Sequence, residues 1–187
     1  MGAVVALAEE VLLVAGNKDS KQVKLKRIFT HLFYPNWRLK KLFPQSALDD
    51  IETAITHSEA LHRGEICVAI ECSLSLSATT SNQSLTDRAL EVFSLLRVWD
   101  TENNNGVLIY LLLAEQRIKI IADRNINNKV EEQQWQEICT TLALAFQQEQ
   151  YSMGMNDAIK QVGQLLAEHF PKTGNNVNEL SNKAKLL

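Results

Sequence analysis

The chain has 187 residues, 45% of them apolar and 22% charged, with seven Gly, three Pro and a formal net charge of −3. That composition belongs to a globular domain with its own core, and it excludes a disordered or fibrous chain. Charge is segregated: positions 21–48 hold seven basic residues and no acid, so the remainder carries 12 basic and 22 acidic groups. An acidic body argues against nucleic-acid binding by the whole domain, and a basic arm suits an anionic surface.

The opening run, MGAVVALAEEVLLVAG, superficially resembles a targeting signal. Glu9 and Glu10 split it, no cationic region precedes it, and it is shorter than the roughly 20 residues that span a bilayer. Residues 1–26 are therefore expected to form a poorly ordered extension. No signal peptide or transmembrane helix is expected, which points to a location in the cytoplasm or peripheral to a membrane. The arm that follows interleaves Phe29, Phe33, Tyr34, Trp37 and Phe43 with Lys24, Lys26, Arg27, Arg38, Lys40 and Lys41. Such a segment either meets a partner, an anionic membrane or an unknown protein, or packs onto its own domain.

Ser46 with Asp49 three residues on has the spacing of a helix start, and Gly64 supplies the stop. Residues 65–72 alternate in the manner of a strand, with Cys67 and Cys72 pointing to opposite faces. Those two thiols cannot easily bridge, and with Cys139 they read as buried and reduced. A polar loop over 73–83 ends in a second cap, Ser84 with Asp87, and opens a helix to about Val98. Residues 106–114 are apolar on both faces, the pattern of a covered central strand. Residues 117–123 form its hairpin partner across Glu115-Gln116, with opposed residue numbers summing to about 231. Two amphipathic helices finish the domain, one on Trp135, Ile138, Cys139, Leu142 and Phe146, the other on Met155, Ile159, Val162, Leu166 and Phe170. Residues 172–187 read as a flexible polar tail. The order α-β-α-β-β-α-α gives an α/β fold, a small mixed sheet between helix layers, over residues 27–171, expected to be monomeric.

No nucleophile elbow, phosphate loop, dinucleotide fingerprint or zinc motif occurs. The chemistry concentrates instead in Trp99-Asp-Thr-Glu-Asn-Asn-Asn-Gly106 and Asp123-Arg-Asn-Ile-Asn-Asn128. The hairpin brings these stretches to one end of the sheet. A right-handed crossover from the first strand makes it parallel to the second and brings Glu65 to that end. Glu65, Asp100, Glu102, Asp123, Asn104 and Asn105 then form a candidate site of oxygen ligands, which suits Ca²⁺ or Mg²⁺ over zinc. Asp and Asn are equally the residues that turns require. Arg97 and Arg124 flank the cluster and either hold a phosphate or pair with neighbouring carboxylates. His31, His57, His62 and His169 are isolated and read as surface or cap residues.

Several of these stretches together carry a resemblance. Arg88-Ala-Leu-Glu-Val-Phe, Leu96-Arg-Val-Trp-Asp-Thr-Glu-Asn-Asn-Asn-Gly-Val-Leu-Ile-Tyr110, Ile118-Lys-Ile-Ile-Ala-Asp-Arg-Asn-Ile126, Trp135-Gln-Glu-Ile138 and His169-Phe-Pro171 resemble the TPM-domain family. The lead-in Phe29-Thr-His-Leu-Phe-Tyr-Pro-Asn-Trp-Arg38 and Gly64-Glu65-Ile66 resemble a short bacterial branch described as membrane-associated. The resemblance implies an α-β-α sandwich and a divalent-cation site in strand-end loops, with Asp100 and Asp123 at the acidic positions. It also implies phosphatase activity in some relatives, and roles in photosystem II repair or stress. Asn125 stands where many relatives have Gly, a departure that bears on the local loop geometry. The expected function is a cation-binding interaction module, with weak metal-dependent phosphomonoester hydrolysis as the alternative.

Overall fold

Two hydrophobic periods build the layers, period 2 in the strands and 3.6 in the helices. A computed structural model describes residues 20–172 and 178–187, with the side chains of 20–24 outside that description. Most of the expected N-terminal extension and the Lys24 side chain lie outside the described residues. The helices are α1 (Ser20–Leu32), α2 (Trp37–Leu42), α3 (Gln45–Glu59), α4 (Leu76–Thr80), α5 (Leu85–Leu95), α6 (Arg124–Asn127), α7 (Glu132–Gln147) and α8 (Tyr151–His169). The strands are β1 (Glu65–Glu71), β2 (Gly106–Leu112), β3 (Arg117–Ala122) and β4 (Lys185–Leu186).

The sheet runs β3-β2-β1-β4, with β1 parallel to β2 and β2 antiparallel to β3. This is the mixed α/β sandwich expected. Alternate strand residues serve two cores. Ile66, Val68, Ile70, Val107, Ile109 and Leu111 pack with α3, α7 and α8. Cys67, Ala69, Leu108, Tyr110 and Ile121 pack with α5. Cys72 shares the first core, so Cys67 and Cys72 do face opposite ways, and all three thiols are buried and free.

Several local expectations are corrected. α3 starts two residues early, with Pro44 at its cap and no side-chain cap bond, so Ser46 lies inside the first turn. Ser84 does cap α5, its Oγ accepting the Asp87 N–H. The hairpin turn takes four residues, a 3-10 turn at Leu113–Glu115 followed by Gln116 at φ 53°. Leu112 therefore pairs with Arg117 and Val107 with Ala122, a sum of 229. The register is two residues from the one expected, and an even shift keeps every side chain on its predicted face.

The polar tail also departs from expectation. Lys185–Leu186 adds a strand parallel to β1, while the Leu187 N–H donates to the Ile70 carbonyl and the Cys72 N–H to the Leu187 carbonyl. An open β1 edge offers unpaired backbone groups, and two residues suffice to use part of it.

Candidate functional site

Glu65, Gly106 and Asp123 stand side by side across three strands at the amino ends of β1 and β2. Glu65 pairs with Gly106 in the parallel register, and the Gly106 carbonyl accepts the Asp123 N–H at 2.9 Å. The pleat directs all three to the α5 side of the sheet. Gly106 carries no side chain there, and a Cβ on it would lie 2.1 Å from the Val98 carbonyl oxygen. The loop 98–105 therefore folds directly over the strand end.

That loop is built by local chemistry. Arg97 at φ 56° ends α5 in the left-handed conformation, with the Val98 N–H returning to the Phe93 carbonyl. Thr101 is buried and accepts the Asn105 N–H on Oγ1 at 3.0 Å. Asn104, at φ 49°, closes the turn. Asn125 joins the two loops: its N–H reaches the Asn104 carbonyl at 3.2 Å and its Nδ2 the Asn103 carbonyl at 2.9 Å. The side-chain amide at position 125 thus performs a clasp that glycine could not make.

The six oxygen residues meet different fates. Asp123 is 5% exposed and caps α6: Oδ1 accepts the Arg124 N–H at 2.6 Å, while Oδ2 is buried without a partner. Burial raises its pKa above the usual carboxylate value. Asn105 is fully buried; Nδ2 donates to the Arg63 carbonyl at 2.6 Å, and Oδ1 has no partner. Asn105 is directed to the other face of the sheet, so these two orphan oxygens do not share a pocket by strand geometry. Asp100 is exposed and paired with Arg97. Glu102 and Asn104 are exposed on the loop.

Glu65 is held on the opposite flank by the tail. Its Oε2 accepts the Leu180 N–H at 3.1 Å, and burial pushes its carboxyl up to about 6. Glu179 accepts the Glu102 N–H at 2.9 Å, and Asn182 donates to Thr56. Glu59 accepts the Ile66 N–H at 3.0 Å, and burial, then the nearby Glu65 charge, pushes it up to about 7. Among the described residues, no group of three or more His, Cys, Asp or Glu stands together as a metal cage. Loop convergence was foreseen; Glu59, Thr101, Glu179 and Leu180 were not. Thr101 sits in the motif itself, but no sequence period links the tail to β1.

Elsewhere several buried polar groups are paired, although Arg63 Nε, Trp135 Nε1 and Asn156 Oδ1 are buried without a partner. At the carboxyl end of β1, Glu71 takes a bidentate pair from Arg88 at 2.8 and 2.9 Å and the Tyr110 hydroxyl at 2.5 Å. His62, expected at a surface or cap, is buried, bonded to Ser58 Oγ at 2.9 Å and donating from Nδ1 to the Gly64 carbonyl, and burial lowers its pKa to about 4. His31 is also buried; Nδ1 accepts the Leu74 N–H, so Nε2 donates to Glu115 at 2.7 Å. Arg27, assigned to the outer arm by sequence, instead turns inward onto Glu115 at 2.6 Å. Phe43 is core, Tyr34 is half-buried, and Phe29, Phe33, Trp37, Lys26, Arg38, Lys40 and Lys41 are exposed. No described helix is long and apolar enough to cross a membrane.

The TPM domain model matches residues 39–165, which include both loops, the hairpin and most of both cores. The chain belongs to the TPM-domain family. The solution NMR structure of the BA42 protein from the psychrophilic bacterium Bizionia argentinensis is 30% identical, with a TM-score of 0.67. That match covers 75% of this chain and 92% of BA42. No curated protein matches in sequence. In this TPM domain the matched region begins inside α2, so α1 lies outside it.

Proposed function

We propose that this TPM domain binds a hard divalent cation, Ca²⁺ or Mg²⁺, at the strand-end loops and works as an interaction module that the cation tunes. The observation that carries the reading is Asp123 Oδ2, a buried carboxylate oxygen without a partner beside two loops rich in further oxygens. A buried uncompensated carboxylate is unfavourable, and a cation relieves it. The donors fit such an ion in kind: Asp123, with Asp100 and Glu102 on the adjoining exposed loop, supplies oxygen alone. Asp100 is engaged with Arg97, and Glu65 with the tail, so the protein contributes few ligands and water the rest. Weak, millimolar-range affinity is the physical consequence.

Metal-dependent hydrolysis of phosphomonoesters is the second reading. It requires Arg97 to exchange Asp100 for a phosphate, which the exposure of both side chains permits. A metal titration followed amide by amide separates these readings from an inert loop. Ca²⁺ or Mg²⁺ should shift resonances in 98–105 and 123–128 together. Silence of both loops at about 10 mM metal would remove both readings. Turnover of an artificial phosphomonoester that tracks metal occupancy would favour the second.

A further inference from the structure

Helix α1 presents apolar side chains on two faces, and the domain covers one of them. Inward, the buried His31 and half-buried Arg27 and Ile28 meet α4 and the hairpin turn. Outward lie Leu25, Phe29 and Leu32, exposed by 56, 57 and 59%, then Phe33 at 70%, whose N–H still bonds the Phe29 carbonyl. Spacings of four, three and one put them on a single stripe. The Phe29 and Phe33 rings stack at 5.9 Å. After the short turn 33–36, α2 opens with Trp37, 60% exposed. Lys26, Arg38, Lys40 and Lys41 are exposed around this stripe, and positions 21–48 contain no acid.

We propose that the outer surface of α1 and α2 docks in the plane of an anionic lipid surface. Exposed Phe, Leu and Trp edged by Lys and Arg is the chemistry of an interfacial helix, apolar side chains among the acyl boundary and cations on the headgroups. Charge complementarity selects an anionic surface, and the rest of the chain, with ten more acidic than basic groups, favours facing away from it. The apolar run MGAVVALAEEVLLVAG ends three residues before α1, so more apolar sequence enters at the same end of this helix. Arg27 is excluded from the surface by its ion pair with Glu115, and this pair and the His31–Glu115 hydrogen bond hold α1 in place, while among the described residues the outer stripe stays open.

The test is co-sedimentation of the full chain at low ionic strength with vesicles of phosphatidylcholine alone or with about 30% phosphatidylglycerol. Anionic vesicles should bind at least about tenfold better, and screening salt should remove the difference. Lys40→Glu/Lys41→Glu should weaken binding by about fivefold or more per cation removed, and Phe29→Ser/Phe33→Ser by about tenfold. These positions are exposed, so circular dichroism and melting should remain those of the native chain. Equal recovery on both vesicle types, or no loss in either variant, would overturn the proposal. So would binding that vanishes only when residues 1–16 are deleted, or a concentration-dependent dimer abolished by the Phe variant without any vesicle binding.

Discussion

The Val98 carbonyl oxygen occupies the space where a side chain on Gly106 would begin, 2.1 Å from an added Cβ. Val98 is pinned on its amino side by its own N–H to the Phe93 carbonyl, so the obstructing atom is backbone and not the far end of a flexible side chain. Gly106→Ala must push the 98–105 loop off the strand end. A loss of about 3 kcal/mol or more is expected, at the upper end of overpacking effects. Urea denaturation measures it, and the amides of 98–105 should shift more than those of α8.

Gly163 and Ser58 make a second close approach, where α8 crosses α3. A Cβ on Gly163 would lie 1.8 Å from Ser58 Oγ, the hydroxyl bonded to buried His62. Gly163→Ala and Ser58→Ala should each destabilise, by about 2 kcal/mol, one through overlap and one by orphaning the imidazole nitrogen. The double variant should lose at least about 1 kcal/mol less than the sum, because Ser58→Ala removes the overlapping oxygen. Simple additivity in a denaturation cycle would contradict this packing.

Much of this fold was readable because its elements are long and strongly periodic. The both-faced apolar run of β2 predicted a central strand, and the Ser84 cap and the amphipathic faces of α7 and α8 fell where expected. The site was partly readable: crossover handedness and the hairpin placed Glu65, Gly106 and Asp123 at one end despite a register two residues out. What stayed hidden was decided by tertiary partners. The two-residue β4 has no period of its own, and the buried His31 and His62 have partners distant in sequence, the Leu74 N–H for His31 and a backbone bridge to Pro171 for His62. Asp100 read as a metal ligand and Arg97 as either a phosphate holder or the partner of a nearby carboxylate; the structure pairs the two, a choice that spacing alone does not make.

Stability should respond to pH in two opposed ways. Burial raises Glu59 to about 7 and Glu65 to about 6 in the folded chain, against an ordinary 4.5. Raised carboxyls favour folding fully below 4.5, and that contribution is lost as pH climbs through 6 to 7. His62 behaves oppositely. Its folded value near 4 against 6.5 means its contribution is complete above 6.5 and falls away on acidification toward 4. Glu59→Gln should therefore flatten the loss between about pH 5 and 7.5 and leave the acid limb intact. Denaturant midpoints across that range decide it, and an unchanged profile in the variant would refute the assignment.

Glu115 ties α1 to the domain. Its carboxylate meets Arg27 at 2.6 Å, His31 at 2.7 Å and Arg117 at 3.1 Å, with 11% of the side chain exposed. Glu115→Ala leaves cations facing one another and an imidazole N–H without its acceptor. The expected loss is about 2 kcal/mol, below that of a fully buried pair because Arg27 keeps partial solvent access. The effect should be local. Amide exchange should accelerate in α1 while β2 and α8 stay protected, and uniform acceleration would show that α1 is no separate unit.

Asp123→Asn isolates the proposed cation ligand from the fold. The amide oxygen still accepts the Arg124 N–H, so the α6 cap survives, since Asn caps helices as well as Asp. What disappears is the buried charge on the partnerless Oδ2, the group whose burial raises the pKa. A raised carboxyl weakens folding as pH rises through its folded value, so without metal the variant should match or exceed the native chain in stability at neutral pH. With metal the order should reverse. The native chain should gain thermal stability as Ca²⁺ or Mg²⁺ reaches the millimolar range, and the variant should gain none. Melting curves with and without metal read both effects. Equal metal-induced shifts in the two proteins would place any bound cation away from Asp123, and a native chain without a shift would leave Oδ2 as a purely structural charge.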